Sequence, residues 1–294
     1  AAPTDLPPLP GHNGWVSGLA YTAAGLFSTD SWGRLTGRDA DGKPLWTVEA
    51  AHNGWARAVE GVGDLLVSGG RDGFVRFWDA KTGAKRGEVN AGADILSVGF
   101  AAAGKAVYAG DLFGVVREYE APTGKPGRVF EARELHKLDR VQDVGGVRCL
   151  LASPDGRTLI AAGAEPKTGG FVECTPLMVA FDRTTGARLW QWKGGGPQEG
   201  YVTDLAWHPT GFVAASVSGQ PGQGKVLCLK PGDAAPFFAA AKPNAHSVAF
   251  TADGATLAAA LTNANSSGNG RVKGKGDEYP GNHSPVQLWR VGNT

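Results

Sequence analysis

Charge is scarce in this chain, and what there is nearly cancels. Acidic and basic side chains number 28 and 29 among 294 residues, for a formal net charge of +1 at neutral pH. A surface built to neutralise phosphates needs a basic excess, so the composition argues against nucleic acid as a partner. Cysteine is nearly absent: Cys149, Cys174 and Cys228 are odd in number and widely spaced, which does not suit a disulfide framework. Without a Cys-x-x-Cys or His-x-x-x-His pair there is no zinc pattern either, and the three thiols read as small buried hydrophobes. No apolar run approaches the length that spans a bilayer, so the chain reads as soluble. Catalytic signatures are missing too: no Gly-x-Ser-x-Gly elbow, phosphate-cradling glycine loop or His-Glu-x-x-His occurs. Neither an enzyme nor a cofactor is expected.

Glycine is abundant instead, at 45 residues, beside a hydrophobic content of 42% that is enough to fill a core. The phrase His-Asn-Gly-Trp occurs twice, at His12 to Trp15 and at His52 to Trp55. Self-similarity at such a period marks one small unit copied along the chain. Each unit holds four short apolar runs separated by Gly- and Asp-rich turns, which predicts four strands and no helix. Turns such as Ser153-Pro-Asp-Gly156 and Thr251-Ala-Asp-Gly254 join first to second strands, and Asp79 to Gly83 and Asp182 to Gly186 join third to fourth. Six units are expected; a seventh hidden in residues 131–146 is the alternative.

In the second unit His52, Ser68, Asp72 and the pair Trp78-Asp79 stand at the marker positions of the WD-repeat β-propeller family, which this chain resembles over nearly its whole length. That resemblance implies a single all-β propeller of four-stranded antiparallel blades over residues 11–294. It also implies that the His, Ser, Asp and Trp form a hydrogen-bonded chain tying each blade's entry loop to its second and third strands. The first unit keeps His12 and Ser28, with Trp32 where the Asp is expected and Arg38 where the Trp is expected. In the third unit Phe113 and Tyr119 replace the Asp and Trp. A Pro-rich segment, residues 1–10, is left to supply a closing strand to the last blade from Asp5 to Leu9. The phrases ending at Trp46 and Trp190 are similar to those of quinone-cofactor propellers, a rival that implies an eight-bladed enzyme.

Five generous connections point to function: residues 131–146, 163–174, 193–200, 218–224 and 262–285. In a four-stranded meander all five belong on one face, and drift in loop length has no reason to choose one face five times. The same face carries the residues that open the innermost strands: Trp15, Trp55, Asp94, Gly146, Tyr201 and Asn244. Trp32 and Phe113 fall in its hairpin turns, and Arg57 and Arg148 lie two residues into equivalent strands, placed to receive a carboxylate. These residues are the expected binding site, and the WD-repeat resemblance implies a non-catalytic scaffold, taken as a monomer, for a protein or peptide. The competing reading is a small-molecule, carbohydrate-binding or hydrolytic propeller, which a deep pocket lined by carboxylates would favour. Asn263, Asn265, Asn269, Asp277, Glu278 and Asn282 supply oxygen atoms suited to calcium, but Arg271, Lys273 and Lys275 interrupt them, so no metal is expected. The compartment is left open: Ala1-Ala2-Pro3 would suit the residues after a removed signal peptide.

Overall fold

A computed structural model describes residues 9, 11–101, 104–167, 173–219, 222–262 and 285–292. Six antiparallel sheets succeed one another along the chain, each pairing its strands in sequence order. Blade 1 holds β1 (Val16–Thr22), β2 (Gly25–Asp30), β3 (Leu35–Arg38) and β4 (Pro44–Val48). Blade 2 holds β5 (Ala56–Val62), β6 (Leu65–Gly70), β7 (Phe74–Asp79) and β8 (Lys85–Asn90). Blade 3 holds β9 (Ile95–Phe100), β10 (Ala106–Asp111), β11 (Val115–Glu120) and β12 (Pro126–Glu131). The connection that follows folds as a 3-10 turn, Arg133–Leu135, and a hairpin of β13 (His136–Asp139) and β14 (Gln142–Gly145). Two strands do not make a blade, so the propeller has six.

Blade 4 holds β15 (Cys149–Ala152), β16 (Thr158–Pro166), β17 (Cys174–Asp182) and β18 (Arg188–Lys193). Blade 5 holds β19 (Tyr201–Trp207), β20 (Val213–Ser218), β21 (Gly224–Leu229) and β22 (Phe238–Ala241). Blade 6 has three strands among the described residues: β23 (Ser247–Phe250), β24 (Thr256–Ala260) and β25 (Val286–Arg290). The expected closing strand lies outside the described residues, Leu9 excepted. The expected hairpin turns are present, and glycines that close them, such as Gly83 (φ +71°) and Gly156 (φ +70°), take the left-handed backbone that only glycine adopts freely.

One expectation needs correcting. The sequence predicts a connection over residues 163–174, yet the ladder between β16 and β17 continues to the pair Pro166 and Cys174. The blade is longer there than its neighbours, and the connection shrinks to residues 167–173.

Packing explains the strand pattern. Second strands inside the ring are covered on both faces by neighbouring blades, so β10 and β20 are buried at every residue and read mostly as small and apolar runs. Outermost strands are covered on one side only, and β8 (Lys-Arg-Gly-Glu-Val-Asn) is accordingly polar. Apolar cores fill the spaces between successive blades: Phe27, Val59 and Leu66 between blades 1 and 2, and Val67, Phe77 and Ile95 between 2 and 3. Tyr108, Phe130 and Phe181 join blades 3 and 4, Ile160, Met178 and Leu227 join 4 and 5, and Phe212, Val226 and Leu257 join 5 and 6. The three cysteines are buried, and none forms a disulfide among the described residues.

The seam between blades 6 and 1 is different. Leu19 on β1 is 63% exposed, whereas Val59, its register equivalent on β5, is 3% exposed. Tyr21 at 64% and Leu288 at 52% are bare on the two sides of the same seam. Strength should therefore be uneven around the ring. Phe27→Ala, inside a filled core, is expected to cost about 3–5 kcal/mol. Tyr21→Ala in the same blade should cost under about 1 kcal/mol, and denaturant midpoints of the two variants check the contrast.

Candidate functional site

All six inner strands contribute to the wall of a central channel of about 640 Å³, lined by residues that include Ser17, Arg57, Glu60, Arg148, Asp204 and Ser247. A meander that starts at the inner strand delivers every blade's entry residue to one end of this channel. The structure places Trp15, Trp55, Asp94, Tyr201 and Gly146 there, each just before or at the start of its inner strand. Side chains of the β2–β3 and β10–β11 turns, Trp32 and Phe113, crown the same end.

Trp15 and Trp32 are 76% and 72% exposed. They are held in place by backbone, since Ser31 N donates to Trp15 O (2.9 Å) and Trp15 N donates to Ser31 Oγ (3.0 Å). Trp15 meets Trp55 edge to face, with centroids 5.8 Å apart, and the Arg57 guanidinium lies 4.8 Å over the Trp55 ring. Arg57 then forks onto Asp94 of the next blade, through Nε to Oδ1 (3.2 Å) and its terminal nitrogen to Oδ2 (2.7 Å). Phe113 packs edge-on against His136, which in turn bonds Asp143 at 2.8 Å. Arg148 stacks 4.6 Å over Tyr201.

Three expected site residues are already engaged: Arg57, expected to receive a partner's carboxylate, is closed onto Asp94. Asp94 is committed to Arg57, and Asn244 is 2% exposed, with its Oδ1 accepting from Gly222 N at 2.9 Å. Asn244 therefore holds a loop inside the wall and offers no surface to a partner. The generous connections touch one another along this face: Lys137 Nζ donates to Lys167 O (2.6 Å), and Gly200 N donates to Cys174 O (3.2 Å). Residues 263–284, with their cluster of oxygen-bearing side chains, lie outside the described residues.

The marker residues form the chain that the resemblance implies. In blade 2, Trp78 Nε1 donates to Ser68 Oγ (2.9 Å), leaving the hydroxyl proton for His52 Nε2 (2.7 Å). His52 Nδ1 then donates to Asp72 Oδ1 (2.9 Å). Burial opposes the Asp72 charge, but bonds from Asn53 N, His52 and Arg76 outweigh it and hold the carboxyl at about 2. Blade 1 departs from the expectation that its carboxylate is lost. His12 bonds Ser28 (2.6 Å) and Asp30 (2.8 Å), so the acid comes from the end of β2, two residues before Trp32. Asp111 occupies the same place in blade 3 and accepts from Phe113 N and Val115 N, both at 2.9 Å. The shared phrase Asp-x-aromatic-Gly, at Asp30 to Gly33 and Asp111 to Gly114, was the available signal.

Deeper in the channel stand two carboxylates that sequence reasoning missed. Glu60 faces channel water but is otherwise ringed by protein; that shielding, with the Asp204 charge opposite, pushes its carboxyl up to about 7. Burial also raises Asp204, against bonds from Ser247 Oγ (2.7 Å) and Val248 N (3.0 Å).

Residues 42–79 match the sequence profile of the family described as WD domain, G-beta repeat. The chain folds as a six-bladed β-propeller that carries one matched WD repeat. It is similar to the APC/C activator protein CDC20 of Saccharomyces cerevisiae, 25% identical over 169 residues that make up 52% of this chain. That stretch is 27% of the yeast protein's length. Hydrazine synthase of Kuenenia stuttgartiensis shares the propeller fold, with a TM-score of 0.66 at 15% identity over 85% of this chain and 77% of that one. The rival eight-bladed reading is set aside by the blade count. Trp46 and Trp190 also lie on outer strands β4 and β18, away from any channel floor. No helix among the described residues is long and apolar enough to cross a membrane.

Two outcomes follow for the propeller. Ser68→Ala strands the buried Trp78 and His52 nitrogens and should cost about 2–4 kcal/mol, against about 1 kcal/mol for Ser28→Ala, as urea midpoints would show. Glu60 has a folded-state value above its ordinary one, so its contribution is full below about pH 4.5 and is lost as pH rises through 7. Glu60→Gln should thus raise stability at pH 8 by about 1 kcal/mol, reduced by channel water, and leave it unchanged at pH 4.

Proposed function

We propose that this propeller is a non-catalytic scaffold that binds a protein or peptide on its loop-rich face. The observation that carries this reading is the pair of tryptophans, Trp15 and Trp32, standing wet on a backbone-braced rim. Folding gives these rings little burial, while a partner that covers them removes large flat apolar surfaces from water at small entropic cost. The rim is rigid because it sits on packed strands, so binding need not order it first. Similarity to a protein named as an activator of another assembly supports the same reading. The fold alone does not, since one architecture hosts many functions and the hydrazine synthase neighbour is an enzyme by its name.

A second reading has its own observation. The channel presents Glu60 and Asp204 to water in a space large enough for a small polar ligand, the carboxylate-lined pocket that favours small-molecule binding. The readings separate by mutation. Selection from a displayed library of random peptides should yield binders that lose about tenfold or more in affinity with Trp15→Ala plus Trp32→Ala, at unchanged circular dichroism. Glu60→Gln should leave those binders intact. Binders indifferent to both tryptophans would remove the rim as the site.

A further inference from the structure

Repeat equivalence exposes one side chain whose partner is missing. Arg57 lies two residues after Trp55, and Arg148 lies two residues after Gly146, the entry residue of its own blade. Each guanidinium reaches the entry residue of the next blade. For Arg57 that residue is Asp94, and the two fork together at 2.7 and 3.2 Å. For Arg148 it is Tyr201, and the guanidinium carbon lies over the ring, 4.6 Å from its centre. No hydrogen bond or ion pair reaches the Arg148 guanidinium among the described residues. The channel's own acids do not supply one. Glu60 lies three residues further down its strand than Arg57, about 10 Å deeper. Asp204 is occupied by Ser247 and Val248.

A guanidinium held over an aromatic ring is a prepared receptor: the contact holds the group in place while its N–H donors stay available to a ligand. It is half-buried at the channel mouth, on the rim that carries Trp15 and Trp55. We infer that Arg148 receives the side-chain carboxylate of an acidic peptide segment, in the fork geometry that Asp94 provides to Arg57, while an apolar side chain of that segment lies on the Trp15–Trp55 pair. This rests on the peptide-binding reading of the face and adds the chemistry of the ligand. A carboxylate suits the place because the neighbouring blades already build such a fork with one.

The test uses the full chain and a displayed library of random twelve-residue peptides. Enriched peptides are expected to carry Asp or Glu near an aromatic or aliphatic residue. Arg148→Gln should weaken them by tenfold or more, and Arg148→Lys by less. Changing the peptide's Asp to Asn or Glu to Gln should cost the same factor against the native protein and nothing further against Arg148→Gln. The Arg148 guanidinium makes no hydrogen bond or ion pair among the described residues, so these variants are expected to fold, with the near-ultraviolet signal of the buried aromatics as the check. Peptides that need Trp15 and Trp32 but bind Arg148→Gln within twofold would overturn the carboxylate assignment alone. An absence of enriched peptides, or binders indifferent to the tryptophans, would overturn the reading of the face together with it.

Discussion

A sheet has two faces, and in this molecule nearly every sheet must cover both with another sheet. That requirement governs the rest. It fills most second strands with small and apolar residues on both sides, because alternation is pointless where neither side meets water. It also brings the six inner strands together around one channel, which is how residues as distant in sequence as Ser17 and Ser247 come to line a common wall. The bare seam at Leu19, Tyr21 and Leu288 shows the same rule from its failure: where the blades are not packed together, positions buried elsewhere in the ring are wet.

Covering both faces leaves only the ends of the blades for function. A meander sends alternate connections to alternate ends, so the entry loops and the second-to-third turns share one end by topology. Elaboration there costs little, since lengthening a loop adds a small entropy, whereas the packed strands tolerate almost no change of volume. The His-Ser-Trp chain belongs to this economy. It ties the entry loop of blade 2 to its second and third strands by donors that would otherwise be buried unpaired. The rim residues next to that loop are thereby held on a fixed frame.

Much of this was legible in the sequence, for a physical reason. Positive-φ turns demand glycine, and a repeated unit repeats its turns, so the glycine-marked hairpins set strand count and order. The tetrad of blade 2 was legible because each member has a fixed chemical role. Blade 1 was misread where a role was met from another position: Asp30 reaches His12 from the end of β2, and alignment by column looked only at Trp32. Residues 163–174 read as a loop from sequence because Gly, Pro and Lys usually mark one. Edge-on pairing between Ala164, Glu165 and their partners Pro176 and Thr175 overrides that composition. Asn244 was placed on the rim by register, but its left-handed backbone (φ +47°) turns it into the wall, which no pattern of residue types announces.

Divergence among equivalent positions carries more functional content than the shared frame. The entry residue of each blade occupies one geometric place, yet it is Trp, Trp, Asp, Gly, Tyr and Asn in turn around the ring. Packing alone would let these converge on one type, as the buried second strands do. Where the second position after the entry is an arginine, the next blade's entry residue decides its state: a carboxylate closes Arg57 into an internal pair, whereas a ring supports Arg148 without neutralising it. Two arginines with the same surroundings in backbone terms thus differ in whether their charge is spent. Such a difference costs the fold little and alters only what the face presents, so chemistry can change at the rim while the packed ring behind it stays the same.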